Sequence, residues 1–189
     1  HECSRVVRDR LLTDAETVRF DDMCVDVCKR FFEEENQAEL HARPNLFTVF
    51  ATPTVDDNPS YLPVADMPSL KEVLEGKLRD YNELLPIMDL VLFDDAVEHV
   101  CRITRILGTP RGNALLVGVG GSGKQSLCRL ASFICGYEVV QISMTSNFGV
   151  ADLRDALKEL YRKAGVRPAL PLVFMLTDTQ IVDERFLVY

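Results

Sequence analysis

The 189 residues contain no tryptophan, only three histidines, and no apolar run close to the length of a membrane span. A spanning helix needs about 20 consecutive apolar residues, so no membrane-embedded segment is expected. Positive charge is also scarce. Lys and Arg number 21 against 29 Asp and Glu, for a net charge of −8 and a pI near 4.9. That balance argues against a nucleic-acid surface, because a phosphate backbone would be repelled. A small anion gripped by local backbone dipoles is unaffected. Six cysteines are present (Cys3, Cys24, Cys28, Cys101, Cys128 and Cys135), but no C-x-x-C pair. With the histidines scattered as well, a zinc site is not expected. The thiols read as reduced, buried side chains on apolar helix faces. The opening His1-Glu-Cys-Ser-Arg5 is charged and lacks the apolar core of a signal peptide. The chain starts without Met and stops without a cap, so both ends are expected to be cut points.

What is present is a globular composition, 47% hydrophobic and 26% charged, arranged around one stretch. Asn113-Ala-Leu-Leu-Val-Gly-Val-Gly-Gly-Ser-Gly-Lys-Gln-Ser-Leu127 predicts a buried strand over Ala114–Val117, a glycine-rich loop, and an apolar-periodic helix (Leu127, Leu130, Ala131, Ile134). Strand, glycine loop, lysine and helix in that order form a phosphate-binding loop. Glycines let the backbone turn tightly and aim successive N–H groups at one anion. The helix adds the positive end of its dipole. The expected phosphate contacts are Gly118, Val119, Gly120, Gly121, Ser122, Gly123, Lys124, Gln125 and Ser126, with the Lys124 ammonium on the outer phosphates. The spacing fits G-x-x-x-x-G-K, yet the next position is Gln125 where Ser or Thr ordinarily holds Mg²⁺. Ser126 lies one place too far along. Gln125 is the candidate metal ligand by default, because an amide oxygen ligates a hard cation directly or through water.

Before this stretch the chain reads as helical. Residues 1–12 end a helix. Thr13-Asp-Ala-Glu16 is a capping box opening a helix to about Phe32, with Phe20, Met23, Cys24, Val27 and Phe31 on one face. Pro44 breaks the pattern. Leu46–Thr52 is a short apolar run, a strand or an extended tether, and Pro53–Pro59 reads as loop. Ser69-Leu-Lys-Glu72 reads as a second capping box, opening a helix that Pro86 ends. Residues 1–86 and 87–189 are therefore expected to be separate units. A helix from Leu90 to Leu107 follows, stopped by Gly108 and Pro110. Beyond the loop helix come a strand over Tyr137–Ile142, a helix over Val150–Ala164, and an apolar strand over Leu172–Leu176 buried on both faces. Strands alternating with helices predict a parallel α/β sheet.

Hydrolysis needs more than a phosphate loop. In P-loop ATPases a later apolar strand ends in an Asp for Mg²⁺, commonly followed by a Glu that orients water. Here the strand ends Leu176-Thr177-Asp178-Thr179-Gln180. Two alignments stand: Thr177 in the Asp position with Asp178 in the Glu position, or Asp178 in the Asp position with Thr179 replacing the Glu. In both, one carboxylate is missing and Asp178 is the only acid placed to act. Asp178 is thus the candidate catalytic residue and a second candidate Mg²⁺ ligand.

Leu90–Leu107 followed by Gly112–Leu127, with the Gly-Lys-Gln-Ser variant and Thr177-Asp178, resembles the fourth AAA+ module of axonemal dynein heavy chains. His1–Val6, Arg8–Leu11 and Tyr81-Asn82 resemble the helical lid of the third module and its connection onward. The resemblance covers essentially the whole chain. It implies a P-loop AAA+ fold, truncated after the third strand and preceded by a helical lid, with ATP or ADP as ligand and Mg²⁺ beside it. It also implies a ring of six such modules in one minus-end-directed microtubule motor of cilia and flagella. Its implied partners are the neighbouring AAA+ modules, dynein intermediate and light chains, and microtubules reached through a distant part of the parent. Localisation would be cytoplasmic, on the cytoskeleton of the axoneme. In the family a further strand, later in sequence, lies between the first and third strands, so the sheet here is expected to be incomplete. Two other readings are a nucleotide-clamped structural element without turnover and a small P-loop kinase. The kinase fits poorly with Gln125 and the long helical lead-in.

Overall fold

The computed structural model describes residues 1–33, 35–36, 45–51, 60–144, 148–166 and 169–187. The expected break at Pro44 and the loop over Pro53–Pro59 lie outside the described residues. Helix α1 spans Glu2–Val6, and a 3-10 turn follows at Arg8–Arg10. Helix α2, Asp14–Phe31, begins at the predicted capping box. Glu16 N–H donates to Thr13 Oγ1 at 3.3 Å, and Thr13 N–H donates to Glu16 at 3.1 Å. Arg8 grips Asp21 of α2 with two hydrogen bonds of 2.9 and 3.1 Å. No residue of α2 is buried, and Met23 and Phe31 are 58% and 70% exposed, so the expected inward face is half open. Periodicity fixes which side of a helix is apolar but does not supply a neighbour to cover it.

Strands β1 (Phe47–Thr48) and β2 (Leu62–Pro63) pair antiparallel, Phe47 opposite Pro63 and Thr48 opposite Leu62. Helix α3, Met67–Leu84, starts earlier than predicted, because Asp66 rather than Ser69 is the cap. Asp66 Oδ1 accepts from Ser69 N–H at 2.8 Å, and Pro68 occupies the first turn, where its missing N–H costs nothing. Leu85 is extended ahead of Pro86, and the helix stops there as expected.

Helix α4 spans Asp94–Leu107, four residues later than the Leu90 start expected from sequence. The reason is local. Asn82 of α3 takes both backbone groups of Met88, donating to its carbonyl at 3.2 Å and accepting from its N–H at 2.8 Å. That pair of bonds holds the chain just ahead of Leu90, and Asp94 and Asp95 favour a helix start at their own position, where the dipole is positive. Helix α5 is Lys124–Ile134, and Gly136 turns the chain out of it with φ +71°. The main core lies where α3, α4 and α5 meet. Leu74, Val97, Val100, Leu130 and Ala131 are fully buried there, and Tyr81 packs edge-on against Phe133 with ring centres 5.4 Å apart.

Strand β3 (Glu138–Val140), helix α6 (Val150–Gly165) and strand β4 (Leu172–Phe174) complete the α/β half. β3 and β4 are parallel, with Glu138, Val139 and Val140 opposite Leu172, Val173 and Phe174. Met175 N–H extends the ladder to the Val140 carbonyl at 2.9 Å. Two 3-10 turns follow, Asp178–Gln180 and Glu184–Leu187. β4 is half-buried rather than buried on both faces. The strand predicted at Ala114–Val117 is not formed: residues 112–119 run without ladder partners, and Leu115 and Val117 are 90% and 86% exposed. An apolar run becomes a strand only when another strand satisfies its backbone. Among the described residues none lies beside it. The thiols also differ from expectation: all six are free, but only Cys101 is buried, and Cys3 is exposed. Among the described residues no helix is long and apolar enough to cross a membrane, and no cluster of His, Cys, Asp or Glu is disposed to hold a metal.

Candidate functional site

Segment 113–117 and β4 face one another across an open cleft of about 1730 Å³, and the glycine loop closes one end of it. From Gly118 to Ser126 every predicted contact lines this cleft except Val119, whose side chain is 78% exposed. Thr177 and Asp178 line it from the end of β4. The loop and Asp178 therefore border the same open cleft.

The loop has the conformation its glycines permit. Gly121 and Gly123 sit at φ +76° and +77°, in the left-handed region where a Cβ is penalised. Ser122 N–H closes a turn onto the Val119 carbonyl at 3.4 Å. Gly123 is the N-cap of α5 and supplies no side-chain acceptor, and the first turn of α5 carries no acidic residue. Among the described residues the N–H groups of Gly121, Gly123, Lys124, Gln125 and Ser126 have no acceptor. They are the orphan donors of a helix start. Such an array, at the positive end of an eleven-residue helix, fits a phosphate group.

Lys124 folds back over the loop. Its Nζ donates to the Gly118 carbonyl at 2.8 Å, the Val119 carbonyl at 2.7 Å and Ser122 Oγ at 3.2 Å. Those three bonds use all three ammonium donors. Two of them pin the loop, while the third and longest, to a neutral hydroxyl, is the one an anionic oxygen displaces most readily. Gln125 is exposed, and no hydrogen bond to its amide is found among the described residues. Asp178 is exposed and opens its 3-10 turn, with Oδ1 accepting from Thr179 N–H at 3.0 Å. Gln125 and Asp178 together offer one amide oxygen and one carboxylate oxygen. That set is too small to enclose a divalent ion but suits one that keeps waters and phosphate oxygens as its other ligands. Next to the loop, Leu90 Cδ1 lies 3.8 Å from where a Cβ on Gly123 would stand, so the stretch before α4 borders the site.

One contributor escaped the sequence reading. Gln180 is buried, and its side chain binds the end of β4 to the end of β3. The signal was present, because Thr177-Asp-Thr-Gln180 has the spacing of a capping box.

A glycine strap feeding an uncapped helix beside a parallel strand pair defines the class: this is an α/β protein of the P-loop kind. Comparison with known families goes further. Residues 88–189 match the P-loop containing dynein motor region D4, which takes in more than half of the chain, and the chain belongs to that family. Among curated relatives it is 52% identical to the flagellar outer-arm dynein beta chain of Chlamydomonas reinhardtii, 48% to the ciliary dynein beta chain of Heliocidaris crassispina and 46% to dynein axonemal heavy chain 17 of Homo sapiens. Each alignment covers all of this chain and 4% of the relative's length. The kinase reading is set aside by this membership.

Proposed function

We propose that this chain supplies the nucleotide-holding face of a regulatory AAA+ module in an axonemal dynein heavy chain. Residues 87–189 form the P-loop unit, and residues 1–86 form the lid of the module before it. The observation that carries this reading is that the loop with its unpartnered N–H groups, Lys124 and Asp178 all border one cleft. Gly118–Ser126 hold the polyphosphate of ATP or ADP. Gln125 and Asp178 hold an accompanying Mg²⁺, which when bound would draw charge from the phosphates. The apolar residues before α4 (Ile87, Val91 and Phe93, all exposed) meet the base. The parent is a microtubule motor of cilia and flagella. Its neighbouring modules, intermediate and light chains, and microtubules are partners of the whole rather than of this site.

The cleft between segment 113–117 and β4 has room for the additional strand that the family resemblance calls for. Once that strand is in place, Ala114–Val117 becomes the strand its sequence encodes. The site is built to hold rather than to turn over. One carboxylate stands where hydrolysing P-loop sites use two, and Gln125 replaces the hydroxyl that ordinarily meets the metal. In a heavy chain carrying residues 1–189, nucleotide retained at the Lys124-dependent site is separated by chromatography after acid quench. The expected result is ATP persisting far beyond a second. Release of phosphate from that site at about 1–100 s⁻¹, the ordinary range for phosphoryl-transfer enzymes, would overturn the regulatory assignment.

A further inference from the structure

We propose that Gln180 is a positioning residue for the cleft, and that through Gln141 and Arg129 it couples the Thr177–Asp178 turn to the helix that bears the phosphate loop. The proposal rests on nucleotide being held at Gly118–Ser126, as argued above. Four polar residues are buried among those described: Thr48, Thr104, Ser132 and Gln180. The first three make local bonds. Thr104 and Ser132 return their hydroxyl protons to carbonyls of their own helices, and Thr48 accepts from Ala51 N–H. Gln180 alone bridges elements.

Its Oε1 accepts from Thr177 N–H at 2.9 Å and from Thr177 Oγ1 at 3.0 Å. Its Nε2 donates to the Ile142 carbonyl at 2.5 Å, just beyond β3. These partners fix the amide's orientation, because only its oxygen can meet the Thr177 N–H and only its nitrogen can meet the Ile142 carbonyl. Gln141 Nε2 reaches Gln180 Oε1 at 3.5 Å, and Arg129 Nη2 donates to Gln141 Oε1 at 2.8 Å. Arg129 is on α5, five residues after Lys124. A continuous chain of bonds thus runs from the residue preceding Asp178 to the helix behind the loop. If the turn moves, either one of these bonds breaks or α5 moves with it. Gln180 is buried and the other members are half-buried, so the amide that joins both strand ends has no water to replace its partners if they part.

The test uses a heavy chain carrying residues 1–189 and a fluorescent N-methylanthraniloyl-ADP, titrated with and without Mg²⁺. Gln180→Ala and Arg129→Ala are each expected to weaken Mg²⁺-dependent binding about tenfold, the low end for residues that orient metal ligands. Binding without Mg²⁺ should stay within about twofold of wild type, which a general loss of structure would not spare. The double variant should also be about tenfold weaker, because one chain is broken once; independent sites would give about a hundredfold. Gln180→Met keeps the volume while removing the bonds, and decides the matter if the alanine variants unfold. Equal weakening with and without Mg²⁺, single variants indistinguishable from wild type, or an additive double variant would overturn the proposal. Wild-type binding lost in Lys124→Ala, combined with any of those results, would leave the phosphate-loop reading intact. Absence of wild-type binding would overturn both.

Discussion

Two glycines eight residues apart make a sharp test of how the chain is led from α4 into the phosphate loop. At Gly112 an added Cβ would stand 1.7 Å from the Ile106 carbonyl oxygen and 3.0 Å from that of Thr109. The backbone must move by about 1.3 Å to reach even the tightest tolerated contact. That shift breaks the turn closing α4, in which Gly112 N–H donates to Thr109 at 2.9 Å and Thr109 N–H to Ile106 at 3.1 Å. Two hydrogen bonds at about 1 kcal/mol each, with overpacking strain of about 1–3 kcal/mol, put Gly112→Ala near 3–5 kcal/mol destabilising. At Gly120 an added Cβ meets nothing within 4 Å, and φ is not in the left-handed region. Gly120→Ala should therefore be neutral, or stabilising by about 0.4–1 kcal/mol through the unfolded chain. Urea unfolding followed by far-UV circular dichroism reads both. With a slope of about 2 kcal/mol per M, the Gly112 variant should unfold about 1.5–2.5 M earlier and the Gly120 variant within about 0.5 M of wild type. Equal midpoints for the two variants would refute the claim that close approach, rather than loop flexibility, fixes Gly112.

Other consequences follow from the same geometry. Asp66→Ala removes the cap of α3 and should cost about 1 kcal/mol, whereas Ser69→Ala should cost less than half of that; urea midpoints would rank the two. Burial pushes the Cys101 thiol up to about 12 and the Cys135 thiol up to about 11. With a thiol reagent at pH 8, exposed Cys3 should react first and Cys101 only on unfolding; early labelling of Cys101 would contradict its burial. The same shift sets a pH dependence. A folded-state pKa raised above the unfolded value of about 8.5 gives stability that is complete below pH 8.5 and lost as pH climbs toward 12. Cys101→Ala should flatten that alkaline decline, and an unchanged slope would assign it elsewhere.

The features legible in the sequence were those set by neighbours along the chain. Thr13 and Glu16 cap α2 because both partners lie within one turn, and Gly136 ends α5 because it alone reaches the left-handed region there without strain. The glycine loop with Lys124 was readable for the same reason. What escaped depended on partners distant in sequence. Ala114–Val117 has the composition of a strand, but among the described residues no neighbour makes it one. Leu90 fits a helix by periodicity, yet Asn82 claims the backbone nearby. The face of α2 is apolar without being covered. The Thr177–Gln180 spacing is local, but the bridge Gln180 makes is not: Ile142 and Gln141 lie 38 and 39 positions away.

The central claim is that backbone amides from Gly118 onward, with one ammonium group, grip a polyphosphate. Equilibrium titration of ADP into a heavy chain carrying residues 1–189, wild type against Lys124→Ala, tests it directly. The account predicts one fewer nucleotide bound per chain in the variant, with the far-UV spectrum unchanged. An identical stoichiometry and affinity in the two proteins would contradict it.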